Sequence, residues 1–399
     1  MRLVINYWLL VICLVNLTAA EIIPVGNISF GGNASYFEGE SQTKGIDFNL
    51  IYVPAIKLSE RISILPGIYL NYSGAKSVQE LIGGGTLYQD EAGINLNLRY
   101  IRKMRENLKL KMKTGYKWDY LRETKDEDWG EGLFDYEKFT IGVENEIKDF
   151  SVFNKFQVAI DYFTVKFPNY VTLAESTYGK EVSTEAAPSP GGNILDFNAI
   201  ALYNRGLIYF TSNSIFNYEL IYTFKDFPEQ RIVKKNGEFS DDTRSDNKVD
   251  ISLLYSKYIK DIEFSWGIKS NLSFNRSSQN HYDAERYEYT PNYYDYNEYT
   301  IGPVLSKNFL SLKTELTILF GAKSYKERKV QDKNGNYKDE KVKNNYTAIS
   351  FTLSYPVMEK IKAKLNFNWF NQSSNMEYEQ IYKYNFTTYN LLIGLDYEF

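Results

Sequence analysis

Apolar and polar residues alternate over long stretches of this chain, most clearly over residues 108–120. Leu108, Leu110, Met112, Thr114, Tyr116, Trp118 and Tyr120 share one parity, while Lys109, Lys111, Lys113, Lys117 and Asp119 share the other. A strand sends alternate side chains to opposite faces, whereas a helix would scatter these lysines around its circumference. A strand of this length runs roughly 40 Å, and tilted by about 40° it still crosses an apolar band of about 25 Å. The usual soluble strand has only about five or six residues. The alternation returns at 92–100, 156–162, 249–255, 262–274, 310–320, 361–369 and 389–399. No stretch between them reads as an amphipathic helix, and no linker or composition shift marks a boundary. Residues 21–399 are therefore expected to form one domain.

The connections take turns in length. Short ones fall near 57–60, 103–107, 148–152, 204–206, 258–261, 306–309 and 356–360. Long polar ones fall near 74–87, 122–133, 168–192, 226–245, 276–292 and 326–341, with shorter loops near 38–44 and 372–377. Alternating short turns and long loops, joining about sixteen strands with 14 to 18 as the range, predict an all-β, up-and-down antiparallel barrel that spans a membrane. An even count puts both termini on the short-turn side. Residues 207–224 read either as one strand or as a pair broken around 212–214, and 382–388 is out of phase with the last strand, which suggests a bulge.

Alternation alone fits a soluble sandwich as well, so direction has to come from elsewhere. Aromatics close the apolar strand faces at Tyr72, Tyr100, Trp118, Tyr120, Tyr222, Tyr255 and Trp369. The chain ends Tyr-Asn-Leu-Leu-Ile-Gly-Leu-Asp-Tyr-Glu-Phe, with Tyr389, Leu391, Ile393, Leu395, Tyr397 and Phe399 on one face. With Tyr397 and Phe399 in its last places, this segment resembles the carboxy-terminal assembly signal of the outer-membrane β-barrel proteins of Gram-negative bacteria. The resemblance implies outer-membrane lipid, lipopolysaccharide and the barrel-assembly machinery as partners.

Composition agrees. The chain holds 35 Tyr and 25 Phe among 399 residues, yet its mean hydropathy is -0.41. Apolar helices cannot average that polar, but barrel strands can, because half of each faces water. At the amino terminus Met1 and Arg2 precede an apolar run to Leu17 and then Thr18-Ala19-Ala20 before Glu21. This predicts a secretory signal peptide over residues 1–20, cleaved after Ala20. The one cysteine, Cys13, lies inside it, so no disulfide or thiolate site is expected in the mature chain. A net charge of -4 gives no footprint for nucleic acid.

Catalytic chemistry is scarce. The single histidine, His281, has Asp283 and Glu285 nearby and no second histidine or cysteine, so neither a metal site nor a cofactor is expected. A solvated loop histidine is the reading, and no enzyme is expected. Asp126, Asp128 and Gly130 vaguely resemble a calcium loop with Glu137 at the twelfth-position offset, but Asp126-Glu127-Asp128-Trp129-Gly130 fits that loop's spacing poorly, and surface loop acids are the reading. Transport remains. Arg99, Lys109, Lys111, Lys113 and Lys117 are expected to line the pore, and a barrel of this size leaves an aqueous channel for small hydrophilic solutes. Resemblance to the trimeric diffusion porins implies a homotrimer and an inward-folded constriction loop after the fifth strand. Here that loop is 122–133, carrying Glu123, Asp126, Asp128 and Glu131; it has Trp129-Gly130-Glu131-Gly132 in place of the family's Pro-Glu-Phe-Gly-Gly. The loop 168–192 is the rival plug. The alternative function is a structural or surface-binding barrel whose Tyr-rich loop, 282–299, stacks on sugars or host molecules.

Overall fold

The period-two patterning resolves into one continuous sheet rolled on itself. The computed structural model describes residues 21–37, 43–80, 85–170, 193–379 and 383–399; the expected signal peptide and residues 171–192 of the rival plug lie outside them. The staves begin with β1 (Gly26–Phe37), β2 (Thr43–Tyr52, continued by Ala55–Ser59), β3 (Ile62–Ser73) and β4 (Asp90–Arg105). They continue with β5 (Leu108–Arg122), β6 (Tyr136–Phe150), β7 (Phe153–Lys166) and β8 (Phe197–Thr211). Next come β9 (Ser214–Val233), β10 (Phe239–Ile259), β11 (Phe264–Ser277) and β12 (Tyr296–Phe309). The last four are β13 (Leu312–Gln331), β14 (Tyr337–Met358), β15 (Ile361–Ser374) and β16 (Phe386–Glu398). Each pairs antiparallel with the next, and β16 returns to β1 from Asn27↔Glu398 to Phe37↔Thr388. The result is a closed up-and-down barrel of sixteen strands, which leaves no sheet edge.

Closure ends on the terminal aromatic. Gly26 and Phe399 exchange backbone hydrogen bonds of 3.0 and 3.1 Å across the seam. The Phe399 ring packs on Gly26, where a Cβ would stand 2.3 Å from it, and it stacks on Tyr52 and Tyr397 at 6.0 and 5.7 Å. Tyr397 and Phe399 thus fasten first strand to last.

The barrel is turned outside in relative to a soluble protein. Ile94, Met112, Ile141, Ile160, Leu202, Ile268, Ile301 and Phe320 are all exposed on its outer surface, as lipid contact requires, and their polar neighbours in sequence point inward. Both ends of the described chain lie with the tight turns, where the Glu398 amide donates to the Lys360 carbonyl.

Several expected boundaries move. The link placed at 204–206 lies inside β8, and the turn is Ser212–Asn213, so the pair breaks where 212–214 suggested. No bulge interrupts the pairing of β16 with β1 or β15. The stretches 226–245 and 326–341 are mostly strand. Hairpins β9–β10 and β13–β14 carry strands of 20 to 22 residues past the barrel rim, with register shifts after Phe227 and Ser324. Their projecting ends lie beyond the apolar band and are rich in polar and charged residues, even where β13–β14 buries Val330 and Val342, so the alternation that marks a membrane strand fades there and polarity mimics a loop.

Candidate functional site

The inner wall is a lattice of ions whose counter-charges come from neighbouring strands or from two positions along the same strand. Lys111 on β5 bonds both Glu144 and Glu146 on β6, each at 2.6 Å, and Gln157 on β7 donates to the same two carboxylates at 2.8 and 3.0 Å. Lys113 reaches Asp161 on β7 at 2.6 Å. Lys117 holds Asp119 and the Tyr136 hydroxyl, both at 2.8 Å. Arg205 pairs with Glu219 at 2.7 Å and Lys248 with Asp250 at 3.0 Å. Antiparallel register sets Lys111 beside Glu144 and Arg205 beside Glu219, and two-residue spacing on one strand sets Lys117 near Asp119 and Lys248 near Asp250, so long side chains lie against the wall. Gly142 makes room: a Cβ there would stand 2.0 Å from an Asp161 oxygen.

Of the residues expected to line the pore, the structure gathers five on this wall and separates four. Lys109 is registered against Glu146 on the same strand face as Lys111. Arg99, Lys113, Lys117 and Lys138 line a cavity of about 320 Å³ with Asp161 and Tyr203. Glu123, Asp126, Asp128 and Glu131 are exposed in the loop after β5, and among the described residues none of them pairs with a lysine of this wall. That loop folds on its own rim. Arg122 bonds Asp90 and the Glu127 carbonyl, and Trp129 lies 4.2 Å from the Arg122 guanidinium and edge-on to Tyr72. Asn169 Nδ2 donates to the carbonyls of Gly130 and Gly132 at 2.7 and 3.2 Å. The buried Asp135 carboxylate accepts from the Leu121 amide at 2.8 Å; burial still pushes its carboxyl above the usual range.

A different segment leans over the inner face. After β3 the Gly74 amide bonds the Ile46 carbonyl at 3.0 Å, and Ser35 donates to the Lys76 carbonyl at 3.1 Å. These bonds, with that from the Lys76 amide to the Thr43 hydroxyl, root on β1 and β2 the segment leading into the small paired strands Ser77–Glu80 and Gly85–Tyr88. Lys76, Ser77 and Val78 then share a cavity of about 510 Å³ with Lys323, Tyr346 and Phe386 from β13, β14 and β16. Sequence reasoning gave this loop no role, because its polar composition is that of any outer loop and nothing in it signals direction.

Above the rim, aromatics are spent on packing. Tyr325, Val330, Val342, Met376 and Tyr384 form a buried cluster between the β13–β14 hairpin and the segment joining β15 to β16, with the Arg328 guanidinium among the rings of Tyr293, Tyr325 and Tyr384 at 4.8 to 5.5 Å. His281 is not solvated as expected: its ring centroid lies 4.6 Å from that of Tyr293, and burial pulls its pKa below the ordinary 6.5. Asp283 is engaged elsewhere, accepting from the Tyr337 hydroxyl at 3.0 Å and from Arg286.

No family model and no curated protein sequence matches this chain. Solved structures match its fold. OccAB1 of Acinetobacter baumannii superposes with a TM-score of 0.50 at 9% identity, over 94% of this chain and 96% of that one. OmpT, an outer-membrane protein of Vibrio cholerae, gives 0.49 at 9% identity over 96% and 99%. The chain has the fold of the outer-membrane β-barrel proteins.

Proposed function

We propose that this protein is an outer-membrane channel for passive diffusion of small hydrophilic solutes, delivered by a cleaved signal peptide and held with both termini in the periplasm. The observation that carries this reading is the inner wall. Lys111, Lys113, Lys117, Glu144, Glu146 and Asp161 form a paired network on this face in which Glu146 and Asp161 are buried while the Lys113 and Lys117 side chains stay open at 34 and 29%; a lumen filled with water relieves such a network, whereas a wholly dry one would cost several kcal/mol per ion. Sixteen strands enclose a lumen wide enough for that water. The ion pairs lie along the wall and leave the axis to solute, with the hairpin after β3 in place of the loop after β5 as the element that narrows the mouth. No catalytic or metal chemistry enters this account.

The surface-binding alternative has less support. Tyr293, Tyr294 and Tyr296 of the Tyr-rich loop are packed on His281, Arg244 and Lys323, which leaves Tyr287 as its most exposed ring at 81%.

Liposome swelling tests the proposal. Vesicles carrying refolded protein should swell in isotonic solutions of small sugars, at rates that fall as the sugar grows. Vesicles that stay as tight as protein-free controls to every solute, with the barrel shown to be folded by heat-modifiable mobility, would refute it.

A further inference from the structure

The upper part of the wall formed by β6 to β10 breaks the rule that a water-filled lumen is polar. Phe163, Phe197 and Phe227 stand on the three neighbouring strands β7, β8 and β9, with successive ring centroids 6.2 and 5.2 Å apart. Their parity is opposite to that of the outward-facing Tyr162, Ile200 and Phe224, so all three rings face inward. A cation lies over each. Lys138 Nζ is 4.1 Å from the Phe163 centroid, Lys225 Nζ 4.8 Å from that of Phe197, and the Arg244 guanidinium 4.4 Å from that of Phe227. The six side chains line one cavity of about 380 Å³, which meets the basic cavity at Lys138 and Phe163.

The cations differ in what neutralises them. Arg244 is gripped by both oxygens of Asp246, at 2.9 and 2.6 Å. Lys138 and Lys225, among the described residues, take part in no ion pair and no side-chain hydrogen bond; their contacts are the ring faces. A ring face attracts an ammonium less strongly than a well-placed carboxylate does through charge-assisted hydrogen bonds. The pocket therefore holds two positive charges awaiting an anion beside an apolar floor awaiting cover. Inorganic anions would answer the first and leave the rings wet, while neutral aromatics would answer the second and leave the charges bare.

We infer that this pocket is a binding station for small aromatic carboxylates, the carboxylate held between Lys138 and Lys225 and the ring laid on Phe163, Phe197 and Phe227. Its volume falls in the usual range for small-molecule sites, about 300 to 1,000 Å³. The inference rests on the channel reading, since the lumen is the ligand's way in, and it names the class of solute that would dwell there.

Calorimetric titration of the folded protein in detergent micelles with benzoate, benzyl alcohol and acetate tests it without any membrane current, so a closed channel and an absent station give different results. Benzoate should bind, and benzyl alcohol and acetate should each bind weaker by about tenfold or more, the loss expected when one half of a two-part contact goes. In the doubly substituted Lys138→Gln/Lys225→Gln protein, checked for heat-modifiable mobility, the preference of benzoate over benzyl alcohol should vanish. No benzoate binding to the unaltered protein, equal binding of benzyl alcohol, or an undiminished preference in the folded variant would each overturn the assignment. Should the variant not fold, the comparison of benzoate with benzyl alcohol on the unaltered protein decides alone.

Discussion

Exchanging charge and bulk between two consecutive residues of β11 tests which way the barrel faces. Ile268 is 47% exposed on the outer surface, registered against Tyr255 and Pro303. Lys269 lies on the opposite face, in a cavity it shares with Arg205 and Glu219. Ile268→Lys would place an ammonium in hydrocarbon near mid-strand, at a cost of about 2 to 4 kcal/mol, roughly 30-fold to 1,000-fold in the folding equilibrium at 1.4 kcal/mol per decade. Lys269→Ile removes a charge that forms no ion pair among the described residues, and like other changes at water-facing positions it should stay within about 0.5 kcal/mol. Urea unfolding in phospholipid vesicles, followed by tryptophan fluorescence with heat-modifiable mobility as the check on folding, reads both. Equal destabilisation, or a larger loss from Lys269→Ile, would refute the assignment of faces.

Deleting Phe399, or replacing Gly26 with Val so that its side chain collides with the Phe399 ring, should leave unassembled protein in the periplasm; a normal yield of heat-modifiable barrel in outer membranes would count against the seam as described. Leu310 is fully exposed in a two-residue turn at φ 56°, a conformation that costs an L-residue about 1 to 2 kcal/mol, so Leu310→Gly should stabilise the barrel by about 1 kcal/mol, and an unchanged or lower unfolding midpoint would contradict the turn geometry. Because burial lowers the pKa of His281, the folded loop prefers the neutral ring: its stability should be full above the unfolded value of about 6.5 and fall as pH drops below it. The depressed Asp283 carboxyl adds its own loss only further down, below the ordinary carboxylate range. Hydrogen exchange of the hairpin containing His281 should show this dependence between pH 7 and about 5 and lose it in His281→Gln; the same dependence in that variant would assign it to another group.

What the chain spelled out locally could be read from it, and what depended on neighbours could not. Alternation in β5 and β11 fixes strand faces because each residue's environment is set by its own parity, and loop lengths then give the strand count. The lysines of β5 could be placed on the inner wall for the same reason. Their partners could not: Glu144, Glu146 and Asp161 meet them only through the register of β5, β6 and β7, which no single strand encodes. Phe163 and Phe227 look in sequence like ordinary strand aromatics, and only their position opposite lipid-facing neighbours reveals a greasy patch inside. The turn at Ser212–Asn213 was displaced to 204–206 because Asn204-Arg205-Gly206 has turn composition, whereas Gly206 is there to admit the ring of Tyr218, whose edge would stand 2.1 Å from a Cβ. Neither polar loop carries a directional mark in its sequence: that after β5 lies on its own rim among the described residues, whereas Lys76, Ser77 and Val78 after β3 share a cavity with residues of β13, β14 and β16, a placement set by neighbours and not by the segment itself.

Single-channel recording tests the central claim most directly. Protein refolded from the mature chain and added to a planar bilayer in potassium chloride should insert in discrete steps of long-lived, ohmic conductance, as an open aqueous lumen requires. Folded, heat-modifiable protein that inserts without conductance steps would contradict the account of this barrel as an open channel.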